Sequence, residues 1–185
     1  MWCPDTVPMD SAQRGVAVGM ATALATTAVV FVVAVAFGGA RIGEGASVDV
    51  RAALLAASVM APAIALFVCI ARLARHRFFN AEDINGSGLT EGSARARLLQ
   101  ALLQNTLEQS ALAVPVYVSC AIIFPGRFLA AIPAAAALFL VGRIFFYAGY
   151  SKGAAARAFG FALTFYPTAF LGCAALLFLA MRDVA

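Results

Sequence analysis

The sequence predicts an all-α integral membrane protein, and three observations carry that prediction. Hydrophobic residues make up 63% of the chain and charged residues only 12%, far from the balance of a soluble domain. Uncharged runs recur at Gly15–Ala40, Ala52–Ala71, Gln109–Gly126 and Ala158–Met181, and a shorter run from Phe128 to Gly142 continues through Arg143 to about Tyr150. Lys and Arg collect in alternate connections, the pattern left by the positive-inside bias. A span needs about 20 mostly apolar residues. The chain therefore reads as five transmembrane helices near 15–38, 52–75, 97–124, 128–150 and 157–181.

The tail before the first helix and the connections after the second and fourth share one side. That side holds Arg14, Arg72, Arg75, Arg77, Arg95, Arg97, Lys152 and Arg157; the other holds Arg41, Arg51, Arg127 and Arg182. The basic side is expected to be cytoplasmic, with the N-terminus inside. The positive balance is thus a matter of topology and of attraction to anionic headgroups. No nucleic-acid partner is expected, because the basic residues are divided among separate loops without interleaved aromatics. Cys3, Cys69, Cys120 and Cys173 are scattered, no C-x-x-C occurs, and His76 has no ligand-spaced partner. No metal site is expected.

The first helix is too long, and too poor in early basic residues, for a cleaved signal peptide. Pro4 and Pro8 predict an irregular tail before it. Its Thr22, Thr26 and Thr27 can bond back to their own helix, which leaves an anchor or packing element without chemistry. The second helix contains Pro62, a kink that membrane helices tolerate, and ends in Arg72, Arg75, His76 and Arg77. Those residues read as snorkelling cations or as the rim of an anion site. The polar connection from Phe78 to Glu91 carries the turn formers Asn80, Asn85, Gly86, Ser87 and Gly88, and loops of this length often cover a site. Ser93, or Thr90 with Glu91, is positioned to cap the third helix.

The third helix carries the chain's strongest signal. Gln100, Gln104, Asn105, Glu108 and Gln109 sit at the start of an apolar run that continues to Phe124. A carboxylate at mid-bilayer depth costs about 3 kcal/mol or more, so Glu108 marks either a functional cleft or a packing contact. Arg97, Gln100, Gln104 and Glu108 follow spacings of three and four and line one face, which Asn105 joins. Interhelical hydrogen bonding alone accounts for one such residue better than for five. The fourth helix is alanine-rich from Ala130 to Ala137 and suited to close packing. It ends with Arg143, Tyr147 and Tyr150, spaced to share a face. Arg143 and Glu108 approach the same side from different helices, and a pair between them would offset much of the cost of burying each. Arg157 opens the fifth helix, which is otherwise apolar around Tyr166 and Pro167.

These residues carry a resemblance. The stretch from Arg97 to Glu108, with Asn105 and Glu108 spaced by three, resembles the second helix of the MAPEG family, the membrane-associated proteins of eicosanoid and glutathione metabolism. Gly142, Arg143, Tyr147, Gly149, Tyr150, Gly153 and Arg157 are similar to that family's third helix, following loop and start of the fourth. The resemblance implies a four-helix domain over residues 52–185. Residues 1–51 then add a tail, one extra transmembrane helix and a loop. It also implies a homotrimer that binds glutathione between subunits on the cytoplasmic side, with membrane lipids around it and a lipophilic substrate arriving from the bilayer.

By the same resemblance, Asn105 and Glu108 hold the peptide-like groups of glutathione, with Glu108 accepting from the ammonium. Arg143 orders the site, Tyr150 lies at the pocket and Arg157 stabilises the thiolate. Gln104 and Tyr147 join the candidate binding set from the same faces. The chain departs from the family pattern at Ala101, where an arginine is usual, and at Leu103, Gln109 and Phe146. Arg97, one turn further out, is the candidate to compensate for Ala101. The resulting expectation is a glutathione-dependent transferase or peroxidase acting on lipophilic electrophiles. The competing readings are a non-catalytic trimeric scaffold or lipid-binding protein, and a small transporter whose polar stripe lines a path.

Overall fold

The computed structural model describes residues 10–86, 89 and 91–182, the side chain of Arg182 excepted. The expectations for Cys3, Pro4, Pro8, Ser87, Gly88 and Thr90 lie outside them. Helices account for nearly all of the described chain, without a strand among those residues. Five helices are long and apolar enough to cross a membrane: α1 (Ser11–Ile42), α2 (Val48–Phe79), α3 (Ala94–Ile123), α4 (Ala131–Gly149, flanked by the 3₁₀ turns Gly126–Phe128 and Tyr150–Lys152) and α5 (Ala154–Arg182).

Each start has a local cause. Asp10 and Gln13 form a reciprocal capping box at α1, with the Gln13 amide 2.6 Å from Asp10 Oδ1 and the Asp10 amide 3.0 Å from Gln13 Oε1. Ser47 caps α2 and Ser93 caps α3 through their side-chain oxygens, which satisfies backbone N–H groups that the first turn leaves without partners. These caps explain why the helices begin several residues before the apolar runs do. Thr22, Thr26 and Thr27 donate to the carbonyls of Val18, Thr22 and Ala23, so the polar groups of α1 are satisfied within its own helix. A π turn at Ala34–Gly38 interrupts α1 near its end.

Helices α2 to α5 form the bundle. α2 packs against α3 and α4, and α5 packs against α3 and α4 from the other side. The shared core includes Tyr117, Cys120, Leu129, Ile132, Ala135, Phe139 and Leu171. α1 stands outside this bundle along α5 and buries only Ala23, Thr27 and Gly39 within its α-helical parts. Its docking relies on absent side chains: a Cβ at Gly15 would crowd Ala155, and one at Gly39 would collide with the Arg127 carbonyl. Close approach through small residues is how helices associate where lipid offers no hydrophobic drive. At the end where α3 finishes, Arg51 of α2 donates through Nη1 to the carbonyls of Ala121 at 2.8 Å and Phe124 at 2.9 Å. A cation on the last carbonyls of α3 satisfies them and complements the helix dipole.

Candidate functional site

The seam between α4 and α5 sets the geometry of the site. A Cβ at Gly160 would collide with the Phe146 amide nitrogen, one at Gly149 with the Ala156 carbonyl, and one at Gly142 with Thr164 Oγ1. The two backbones therefore run almost in contact. Arg143 and Tyr150 on α4 and the turn after it, and Arg157 on α5, are side chains next to that seam.

Arg143 is 1% exposed. Its Nη1 donates to Asn105 Oδ1 at 2.8 Å and its Nε to Thr164 Oγ1 at 3.1 Å. Thr164 in turn donates to the Gly160 carbonyl at 2.9 Å. The guanidinium carbon lies 4.5 Å from the centre of the Phe146 ring, in cation–π range. Nη2 has no hydrogen-bond partner among the described residues, and no carboxylate pairs with the guanidinium among them. The expected Arg143–Glu108 pair is thus not formed. α3 is turned so that Asn105 faces α4, while Glu108 lies on the exposed side. Glu108 Oε1 accepts instead from Gln104 Nε2 at 3.0 Å.

A cavity of about 330 Å³ opens beside this arrangement, walled by Met20, Asn105, Phe146, Tyr150, Arg157 and Phe161. Its size falls at the lower end of the ~300–1,000 Å³ typical of small-molecule sites. The Arg157 guanidinium carbon stands 4.6 Å from the centre of the Tyr150 ring. That stacking orients the cation without using its N–H groups, which have no acceptor among the described residues. One cavity thus gathers Asn105, Tyr150 and Arg157, with Arg143 behind Asn105 as its support.

Besides Glu108, three candidates lie elsewhere. Tyr147 does not share the environment of Arg143 and Tyr150. Its hydroxyl lies 2.9 Å from Cys69 Sγ and 3.0 Å from Thr106 Oγ1, between α2, α3 and α4. Four residues of separation put Tyr147 near Arg143 in angle, but a helix in the middle of a bundle meets different neighbours across one face. Arg97 and Gln104 line a second cavity of about 360 Å³ on the other flank of α3, with Arg77, Gln100 and Ala101. Arg97 Nη1 donates there to the Gly92 carbonyl at 2.6 Å.

The loop bordering that second cavity is pinned by a buried polar cluster. Asp83 is 2% exposed. Its carboxylate accepts from the Ser93 hydroxyl at 2.6 Å and the Ser93 amide at 2.7 Å, and His76 Nε2 stands 2.9 Å away. Asn80 Nδ2 lies 3.1 Å from the other ring nitrogen of His76. The Ser93 hydroxyl, then its amide, hold the Asp83 carboxyl below the usual carboxylate range; burial opposes them, and His76 adds a smaller push downward. His76 is therefore the anchor of a loop. Among the described residues no group of His, Cys, Asp and Glu is arranged to hold a metal.

Sequence reasoning missed Met20, Thr164 and Thr106. Met20, on the helix read as an anchor or packing element without chemistry, supplies one apolar wall of the cavity. Thr164 follows Gly160 by four, and a threonine one turn after a glycine in an otherwise apolar helix was the available signal. The chain matches the family described as MAPEG family over residues 16–177. No curated protein and no solved structure matches it.

Proposed function

Because the chain belongs to the MAPEG family and carries five helices able to span a bilayer, it is an integral membrane protein, and we propose that it is a glutathione-dependent transferase or peroxidase acting on lipophilic electrophiles. The observation that supports this reading is the convergence of Asn105, Tyr150 and Arg157 on one cavity. Glutathione enters as co-substrate. Arg157 would face its sulfur. A guanidinium beside a thiol favours the thiolate, the form that attacks an electrophilic carbon or a peroxide oxygen. Asn105, fixed by Arg143, would meet the peptide portion, and Tyr150 would keep Arg157 in place. Arg97, which lines the second cavity beside Ala101, would supply from a neighbouring subunit the positive charge that the usual arginine provides to a glutathione carboxylate.

The assembly proposed is a homotrimer, as family members generally are. Gln104 and Glu108 are exposed in the single subunit, and Glu108 stands about halfway along α3. A carboxylate at that depth calls for a protein neighbour or a wet cleft in place of lipid, and a second subunit on this face would provide either. The domain proposed for that assembly is α2 to α5 over residues 52–185, with α1 as its addition. The basic end is proposed to be cytoplasmic, which places the N-terminus inside.

Calorimetry on the purified protein in detergent tests the proposal. Saturable glutathione binding is expected, weakened by Arg157→Ala; no heat at millimolar glutathione sinks it. A second reading, a non-catalytic lipid-binding scaffold, draws on Phe146, whose ring lies over Arg143 in place of a frequent hydroxyl. That reading predicts co-purifying lipid without thiol chemistry.

A further inference from the structure

We propose that a groove at the basic end of α2 and α3 is a binding site for a phosphate group, that of an anionic phospholipid headgroup. The groove, of about 320 Å³, is lined by Arg72, Arg75, His76, Phe79, Arg95 and Leu99. Three permanent cations thus face one space. None of Arg72, Arg75 and Arg95 pairs with a carboxylate among the described residues. Asp83, which bonds the lining residue His76, is committed to that ring and to Ser93.

Three like charges around one groove repel each other, and the cost is removed by an anion among them. Arg95 adds to this: it sits in the first turn of α3, which carries no acidic residue, so a cation occupies the positive end of a helix dipole. An acceptor between the arginines reverses both terms at once. Position selects the source of the phosphate. Arg72 precedes the end of α2 by about 10 Å at 1.5 Å per residue; a 32-residue helix outreaches a hydrocarbon core of about 30 Å by roughly 9 Å at each end, so Arg72 is expected near the boundary of headgroups and acyl chains. Phe78 and Phe79, 74% and 73% exposed, offer apolar surface beside the groove to the chains of the same lipid, and Leu99 floors it. Basic recesses between membrane helices are known to take up acidic headgroups. The His76–Asp83–Ser93 cluster ties the loop to the start of α3 and so holds the two walls at a fixed separation. This site is distinct from the cavity of Asn105 and Arg157 and stands whether or not glutathione binds.

The test is native mass spectrometry of the full chain from mixed micelles containing equal phosphatidylglycerol and phosphatidylcholine. The wild type is expected to retain phosphatidylglycerol in preference by roughly tenfold or more, from the attraction that each basic residue adds. The Arg72→Gln/Arg75→Gln/Arg95→Gln variant should fall near parity, and each single variant should lose part of the preference. Arg14→Gln/Arg41→Gln/Arg127→Gln removes the same charge elsewhere and should keep it. A second arm adds inorganic phosphate to protein in phosphatidylcholine micelles and reads the melting temperature. A phosphate-dependent rise abolished in the groove variant, without lipid preference, would assign the site to a soluble phosphate. Equal lipid retention by wild type and groove variant, with no phosphate-dependent rise in either, overturns the proposal.

Discussion

Removing the partner of Arg143 should harm the protein more than removing Arg143 itself. The guanidinium is 1% exposed, and its hydrogen bond to α3, the helix of the polar stripe, goes to Asn105 Oδ1 at 2.8 Å. Asn105→Leu deletes a hydrogen bond to a charged group, worth about 1.5–3 kcal/mol, and leaves the cation buried with Thr164 as its hydrogen-bond partner among the described residues and the Phe146 ring beside it. At about 2–4 °C for each kcal/mol in a chain of this size, the helical melting transition should fall by roughly 3–12 °C. Arg143→Met keeps much of the volume and deletes the charge along with its bonds. Replacing a buried charge by an apolar side chain is often close to neutral, so this variant should melt within about 1.5 kcal/mol of the wild type. The double variant should therefore be more stable than Asn105→Leu alone. Circular dichroism melts of the four proteins in one detergent complete the cycle. If Arg143→Met proves the most damaging of the three, or the double variant is no better than Asn105→Leu, the account of an uncompensated internal charge is refuted.

Gly160→Val places side-chain atoms against the Phe146 amide, and overpacking of 1–3 kcal/mol or more should lower the melting temperature and weaken glutathione binding together; unchanged melting would contradict the seam. Arg51→Ala removes the donor to the Ala121 and Phe124 carbonyls and should cost about 1–2 kcal/mol at this half-buried position, read by the same melts. The Asp83 carboxyl titrates below its ordinary range in the folded protein, so its contribution is complete above the unfolded value of about 3.9 and disappears as pH falls through the lower folded value. The melting gap between wild type and Asp83→Asn should accordingly stay constant at neutral and mildly acid pH and narrow only under stronger acid; a gap that closes near neutrality would contradict the assignment.

The spans were legible because hydropathy is a one-dimensional property, and the α3 cap because Ser93 is a capping residue type standing just ahead of that span. Pairings were less legible. Opposite charge tied Arg143 to Glu108, whereas the partner is Asn105, one helical step away. Which of two residues three apart faces a neighbour depends on the rotation of α3, and the small residues Gly142, Gly149 and Gly160 help to set that by fixing where α5 lies. The polar stripe was readable as a stripe, but its division between two flanks of α3 was not, since periodicity gives an angle and no list of neighbours. Met20 carried no signal, because an apolar wall of a cavity resembles any lipid-facing methionine.

The glycine contacts between α4 and α5 leave almost no side-chain layer that could rearrange. Main-chain atoms act as the spacer, so Tyr150 and Arg157 inherit the stiffness of peptide groups. Tuning of the chamber in such a molecule falls to its side-chain walls, Met20 on α1 and Phe161 on α5, where substituents can change without shifting Tyr150 and Arg157. A rigid half and an adjustable half let the shape of the chamber change while Tyr150 and Arg157 keep their places.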